Sequence, residues 1–181
     1  LIIAAMGNDS DTTVLSVTDN APGGSNTYVQ AVARGTTGDP HGSSHLWYAK
    51  NSKSGATSVT ATFAASNCTK QIIVAEYSGV DTVSPLDQTQ SNNSGFTSSG
   101  SWTSNSTAAT IQANELLIGI GFQFYAKTGP VWTPGTGWTG VAFVKENLFL
   151  EEQIVSTAGT FAAIGGFSPA DGDWYLPLIA T

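Results

Sequence analysis

Few groups in this chain could move a proton. There are 13 Asp and Glu against 6 Lys and Arg and 2 His, and an acid/base pair needs two carboxyls held several ångströms apart across a cleft. Glu151 and Glu152 are adjacent in a segment that reads as a strand, so their side chains leave opposite faces and cannot act as a pair. Glu76 shares a strand face with Ile72 and Val74, where a lone carboxyl is costly to bury unless an amide or a cation meets it. A structural carboxyl at the rim fits better than a catalytic acid, because Asp39, Asp81, Asp87 and Glu115 show no spacing that singles out a partner. A glycan-cleaving enzyme built on Glu76 is therefore the weakest functional reading, and no catalytic residue is assigned.

Metal and nucleophile signals are equally thin. His41 and His45 stand four apart, a good metal spacing on a helix, but Pro40 and Gly42 make the segment a loop running into a strand. Cys68 lies in the polar stretch Ser66-Asn67-Cys68-Thr69 with no local feature that suggests activation, and no Gly-x-Ser-x-Gly elbow occurs. Two short acidic loops, with Asp9 and Asp11 in one and Asp171 and Asp173 in the other, place hard oxygens at alternate positions, as calcium requires. Neither completes an EF-hand, and aspartates in turns more often bond their own backbone. No cofactor is expected, and calcium is the one ion these loops would take.

Aromatic residues give the better binding signal. Trp132 and Trp138 flank a rigid Pro/Gly loop, and Trp102 stands in another loop with Phe96. Exposed aromatic faces stack on sugar rings, and a hydroxyl-rich acidic surface suits a neutral polysaccharide. The competing reading has Trp132 and Trp138 beginning strands and plugging the ends of a sandwich. Trp47 and Trp174, set in apolar strands, read as core or interface.

The elements that must position these groups are strands. Helical periodicity is nearly absent, and short runs rich in Val, Ile, Thr and aromatics alternate with clusters of Gly, Ser, Asn, Asp and Pro. Strands are predicted over 1–6, 14–18, 27–33, 45–50, 58–64, 70–78, 86–91, 108–112, 115–125, 137–145, 147–156, 160–165 and 174–180. In the fifth of these, Val59, Ala61 and Phe63 share one face. The runs around Ile72 and Ile118 are apolar on both faces and read as central strands. Residues 1–7 echo 116–122, Leu46 echoes Leu148, and the turn at Gly55 echoes that at Gly159. The expected fold is thus all-β: a two-sheet antiparallel sandwich, jelly-roll-like, built from two related halves. The Ser/Asn/Gly-rich connection over 79–107 is punctuated by Leu86, Phe96 and Trp102, which suits a decorated hairpin, so 1–181 reads as a single β-sandwich domain.

Composition narrows the function further. A charged fraction of 10% and a net charge of −7 argue against nucleic-acid and anionic-membrane partners, which need clustered cations. No apolar run approaches the roughly 18 residues of a membrane span. One cysteine allows no internal disulfide, so packing alone must hold the fold. Abundant Ser, Thr, Asn and Gln with little Lys match exported or cell-surface proteins. The chain begins inside a strand without an initiator Met, as expected of a processed chain or a piece of a longer precursor. Sequons occur at Asn8, Asn67, Asn92 and Asn105.

The segments Leu46-Trp47-Tyr48-Ala49-Lys50-Asn51, Val74-Ala75-Glu76-Tyr77-Ser78-Gly79-Val80-Asp81 and Ser84-Pro85-Leu86-Asp87 resemble a module of large secreted bacterial proteins, of the adhesin-like or carbohydrate-binding-like β-sandwich kind. The resemblance implies an extracellular sandwich and carries no catalytic residues. The expectation is a non-catalytic extracellular structural or adhesive module. It would self-associate into filaments through strand edges, or adjoin neighbouring domains of a longer chain, since few lysines guard its edges. The alternative is a carbohydrate-binding module using Trp132, Trp138 and Trp102.

Overall fold

The computed structural model describes residues 1–10, 12–35, 42–65, 68–93, 96–97, 99–123, 131–144, 147–168 and 173–181, and these contain strands and no helix. The first half holds β1 (Ile2–Asn8), β2 (Val14–Asp19), β3 (Val29–Gly35), β4 (Ser43–Ala49), β5 (Val59–Phe63) and β6 (Lys70–Glu76). The middle connection contributes β7 (Thr89–Ser91), β8 (Phe96–Thr97) and β9 (Ser101–Thr103). The second half holds β10 (Glu115–Phe122), β11 (Val131–Pro134), β12 (Thr139–Val144), β13 (Leu148–Val155), β14 (Ile164–Ser168), β15 (Asp173–Trp174) and β16 (Leu178–Ala180).

Both halves follow one plan. The first half forms a sheet in the order β3-β4-β1-β6 and a ribbon β2-β5; the second forms β12-β13-β10-β16 and β11-β14. Every pairing is antiparallel. The agreement reaches single residues: β3 bulges against β4 between Gln30 and Val32, and β12 bulges against β13 between Gly140 and Ala142. A bulge re-aims a strand at one point, so its recurrence at the same place marks a repeated design. Since Ala5 pairs with Leu46 and Ile120 with Leu150, Leu46 corresponds to Leu150, two residues beyond the Leu148 expected and on the same face.

The two large sheets pack face to face as the antiparallel sandwich, and each ribbon covers the outer face of its own large sheet. Alternation explains the layering. Ile3 and Ala5 of β1 join Ile118, Ile120 and Phe122 of β10 in the central core. Ile2, Ala4 and Met6 pack outward against Val14 and Val17 beneath the first ribbon, while Leu117 packs outward with Phe149, Ala163 and Phe167 beneath the second. A side chain on Gly7 would strike the Phe122 ring, and Gly7 and Phe122 hold corresponding positions in β1 and β10. The halves therefore interlock because a ring on one side fits a missing side chain on the other.

Several strand expectations need correction: the strand expected over 160–165 begins only at Ile164, and the one expected over 174–180 is divided between β15 and β16. β4 and β1, not β6, are the inner strands of their sheet: β6 ends it, and Val74 is 45% exposed. The segment 108–112 is no strand; it belongs to an irregular run over 104–114. β8 and β9 were not among the expected strands, and β11 was expected only in the reading that has Trp132 beginning a strand.

Candidate functional site

The middle connection treats the halves unequally. β7 adds itself beyond β16, pairing Ser91, Gln90 and Thr89 with Leu178, Ile179 and Ala180, and β9 adds itself beyond β14. Past β9 the chain continues along the same edge by reciprocal clamps. The Ser104 amide donates to the Ala163 carbonyl at 2.9 Å while the Ala163 amide donates to Ser104 Oγ at 3.0 Å. Thr107 clamps Phe161 and Thr110 clamps Gly159 in the same two-point fashion. Gln90 Nε2 donates to the Ser106 carbonyl and Asn92 Nδ2 to that of Thr103, so the two added strands bind each other. A hydroxyl one bond from Cβ can reach a nearby amide, which is why Ser and Thr rather than apolar residues line this edge.

The corresponding side of the first half has no such cover among the described residues. β6 pairs only with β1, and β5 only with β2. Between them runs a groove of about 300 Å³ lined by Ile2, Lys53, the segment 55–59, Val74 and Glu76. Register matches Val74 to Ile179, through their partners Ala4 and Gly119, yet Val74 is 45% exposed and Ile179 fully buried. β6 is also the longest unbulged edge described, with seven residues in continuous register. The edge strands β3 and β12 are bulged, as is β2, and β7 and β9 have three residues each. A straight unblocked edge with an exposed valine is the form of strand that accepts another strand.

A second concavity, of about 290 Å³, opens between the halves. Ile3, Leu46, Leu86 and Ile118 line it together with Tyr48 and Tyr77, and Gln112, Asn114 and Glu115 supply polar atoms. Glu115 is buried, and burial together with the nearby Asp87 carboxylate pushes its carboxyl up, against a pull from Gln112. Asp87 is held by the Ile111 amide at 2.6 Å and Gln88 Nε2 at 2.9 Å. Burial and the facing Glu152 carboxylate push the Tyr77 hydroxyl up.

Residues singled out in the sequence are dispersed. Trp102 and Trp138 lie in the core under the second ribbon, 4% and 9% exposed. Trp102 stacks on Phe149 at 4.4 Å, and Trp132, half-buried on β11, stacks on the same ring at 5.3 Å. Trp102 and Trp132 thus spend a face on the Phe149 ring, and Trp138 is buried in the same cluster beneath the second ribbon. Glu76 is exposed at the end of β6. Glu151 and Glu152 leave opposite faces as alternation requires. Glu151 enters the core beneath the second ribbon, flanked in register by Gly119 and Gly140, and burial pushes its carboxyl up to about 8. The Gly135 and Ile164 amides draw it back somewhat without closing a hydrogen bond.

His45 is a buried residue of β4, which begins two residues before the strand expected over 45–50. Its Nε2 lies 2.8 Å from Ser43 Oγ and 3.1 Å from the Thr12 carbonyl, and burial lowers its pKa to about 4 against the pull of that carbonyl. His41, Asp39, Asp11, Asp171 and Asn67 lie outside the described residues. Asp9 Oδ1 accepts from the Thr69 amide, and Asp173 pairs with Thr97 through the backbone. Among the described residues no three His, Cys, Asp or Glu gather as a metal site. Asn8 is buried with Nδ2 donating to Ser43 Oγ, which leaves that sequon no room for a glycan. Asp19 fastens a loop: it accepts from the amides of Ala21 and Asn26, from Asn26 Nδ2 and from the Tyr28 hydroxyl. Burial raises its pKa, but these donors together outweigh that and bring it to about 2.

The open edge was missed because its signal is an asymmetry between two similar halves, visible only once the connection's strands are placed. Comparison with known protein families, curated proteins and solved structures finds no match.

Proposed function

We propose that the chain is a non-catalytic extracellular structural or adhesive module that associates through the strand edge of its first half. The observation that carries this is the exposed β6 edge with its groove, set against the equivalent edge of the second half, which the chain itself covers. The low charge, the hydroxyl-rich surface and the resemblance to modules of large secreted bacterial proteins support the extracellular setting. Sedimentation velocity over a concentration series tests the reading. The expected result is a sedimentation coefficient that rises with concentration and no longer does so in Val74→Lys, which puts an ammonium on the edge. A single unchanging species at all concentrations would contradict it.

A second reading, binding of a neutral polysaccharide, is favoured by one observation. The cleft between the halves brings Tyr48 and Tyr77 together with Gln112, Asn114 and Glu115, an aromatic wall with hydrogen-bonding groups. Retention on a polysaccharide matrix that is lost in Tyr48→Ala and unchanged in Trp132→Ala would support binding at this cleft. Equal retention of all forms would count against it.

A further inference from the structure

We infer that the partner at the β6 edge is a second copy of the same edge, paired antiparallel about Ile73. This rests on the edge-association reading above and gives it an occupant and a register. The strand reads Lys70-Gln71-Ile72-Ile73-Val74-Ala75-Glu76. In a two-fold antiparallel pair centred on Ile73, Lys70 of one copy stands opposite Glu76 of the other, and the reverse pair forms at the far end. Ile72 then stands opposite Val74 twice. Residues directly opposite in an antiparallel pair share a face. Lys70, Ile72, Val74 and Glu76 form the outward face here, with Lys70, Val74 and Glu76 exposed. The other face, Gln71, Ile73 and Ala75, is turned toward the central core.

Charge complementarity decides for a second copy over an unrelated strand. A cation at one end and an anion at the other, six residues apart, match themselves only in this antiparallel register. A shift by two residues would uncouple both pairs, and a shift by one would turn the apolar side chains to the wrong face. Glu76 also lines the groove, so the incoming Lys70 meets a carboxylate there; Lys70 already donates to the Cys68 carbonyl at 3.2 Å and lies over the Phe63 ring, and the pair with Glu76 of the other copy adds to these contacts. Lys53, the other charge there, gives its ammonium to the Gly24 carbonyl at 2.9 Å. Pairing would join the β3-β4-β1-β6 sheets of the two copies into one of eight strands and cover the exposed Val74 with Ile72 of the other copy. A two-fold contact of one edge with itself closes at the dimer.

Charge-reversal variants test the register. Lys70→Glu places Glu opposite Glu at both ends, and Glu76→Lys places Lys opposite Lys; both substitutions are at exposed positions and each should weaken self-association about tenfold. The double variant Lys70→Glu/Glu76→Lys should restore it, and an equimolar mixture of the two single variants should form heterodimers preferentially. Association at the wild-type level in both single variants, or failure of the double variant to recover, would overturn the inference while leaving edge association standing. Absence of association in the wild-type chain would overturn both. Circular dichroism of each variant shows that the fold is kept.

Discussion

At the scale of single residues, two buried titratable groups, Glu151 and His45, act on the pH dependence of stability in opposite directions. Glu151 titrates near 8 in the folded chain against 4.5 for the ordinary carboxyl, so its contribution is full below pH 4.5 and is lost as pH rises toward 8. His45 titrates near 4 against 6.5, so its contribution is full above pH 6.5 and is lost as pH falls toward 4. Between 4.5 and 6.5 the two slopes offset, and stability should be flat there as far as these groups decide it. From pH 6.5 to 8 the fall should approach about 1.4 kcal/mol per pH unit at most. Denaturant titrations across that interval should show the decline in the wild-type chain and a flat profile in Glu151→Gln; an unchanged decline would assign the effect elsewhere. Neither role was legible from sequence. Alternation placed Glu151 and Glu152 on opposite faces, but which face was core depended on register with Gly119 and Gly140. His45 was obscured by a loop-like approach through Pro40 and Gly42.

At the scale of elements, strands that bury one face were readable and strands held by their edges were not. β1, β2, β5, β10 and β13 show apolar alternation or continuous apolar runs, and their predicted spans fall within a few residues of those found. β9 is Ser-Trp-Thr in a Ser/Gly/Asn-rich stretch, and its neighbours are held by hydroxyl clamps, an interaction without a hydrophobic period. β11 was read as a loop because Pro134 ends it and Pro130 precedes it. β6 looked central because it is apolar on both faces; one face serves the joint between the halves, and the other is left partly open at Val74. The clamps themselves are testable. Ser104→Ala leaves the buried Ala163 amide without its acceptor and should cost about 1–3 kcal/mol. Trp102→Ala removes the ring stacked on Phe149 and should cost about 3–5 kcal/mol. Both are read by chemical denaturation, and a loss within a few tenths of a kcal/mol for either would mean that the added strands do not hold the second half together.

At the scale of the whole molecule, the repeat makes the open edge meaningful. Two halves with the same strand order and the same bulge stack through their large sheets, and among the described residues the chain between them caps only the second. That the halves are related was visible in the echo of residues 1–7 at 116–122; the unequal capping was not, because the capping strands carry no apolar signal. The joint between halves depends on Phe122 over Gly7, so Phe122→Ala should destabilise the whole molecule in one cooperative transition, by about 3–5 kcal/mol, with no separate melting of the halves. Hydrogen exchange of backbone amides, followed at low and high protein concentration, tests the central claim most directly. The account predicts that amides of β6, over Lys70–Glu76, gain protection as concentration rises while those of β16, already covered by β7, are protected throughout. Exchange in β6 that does not change with concentration would contradict it.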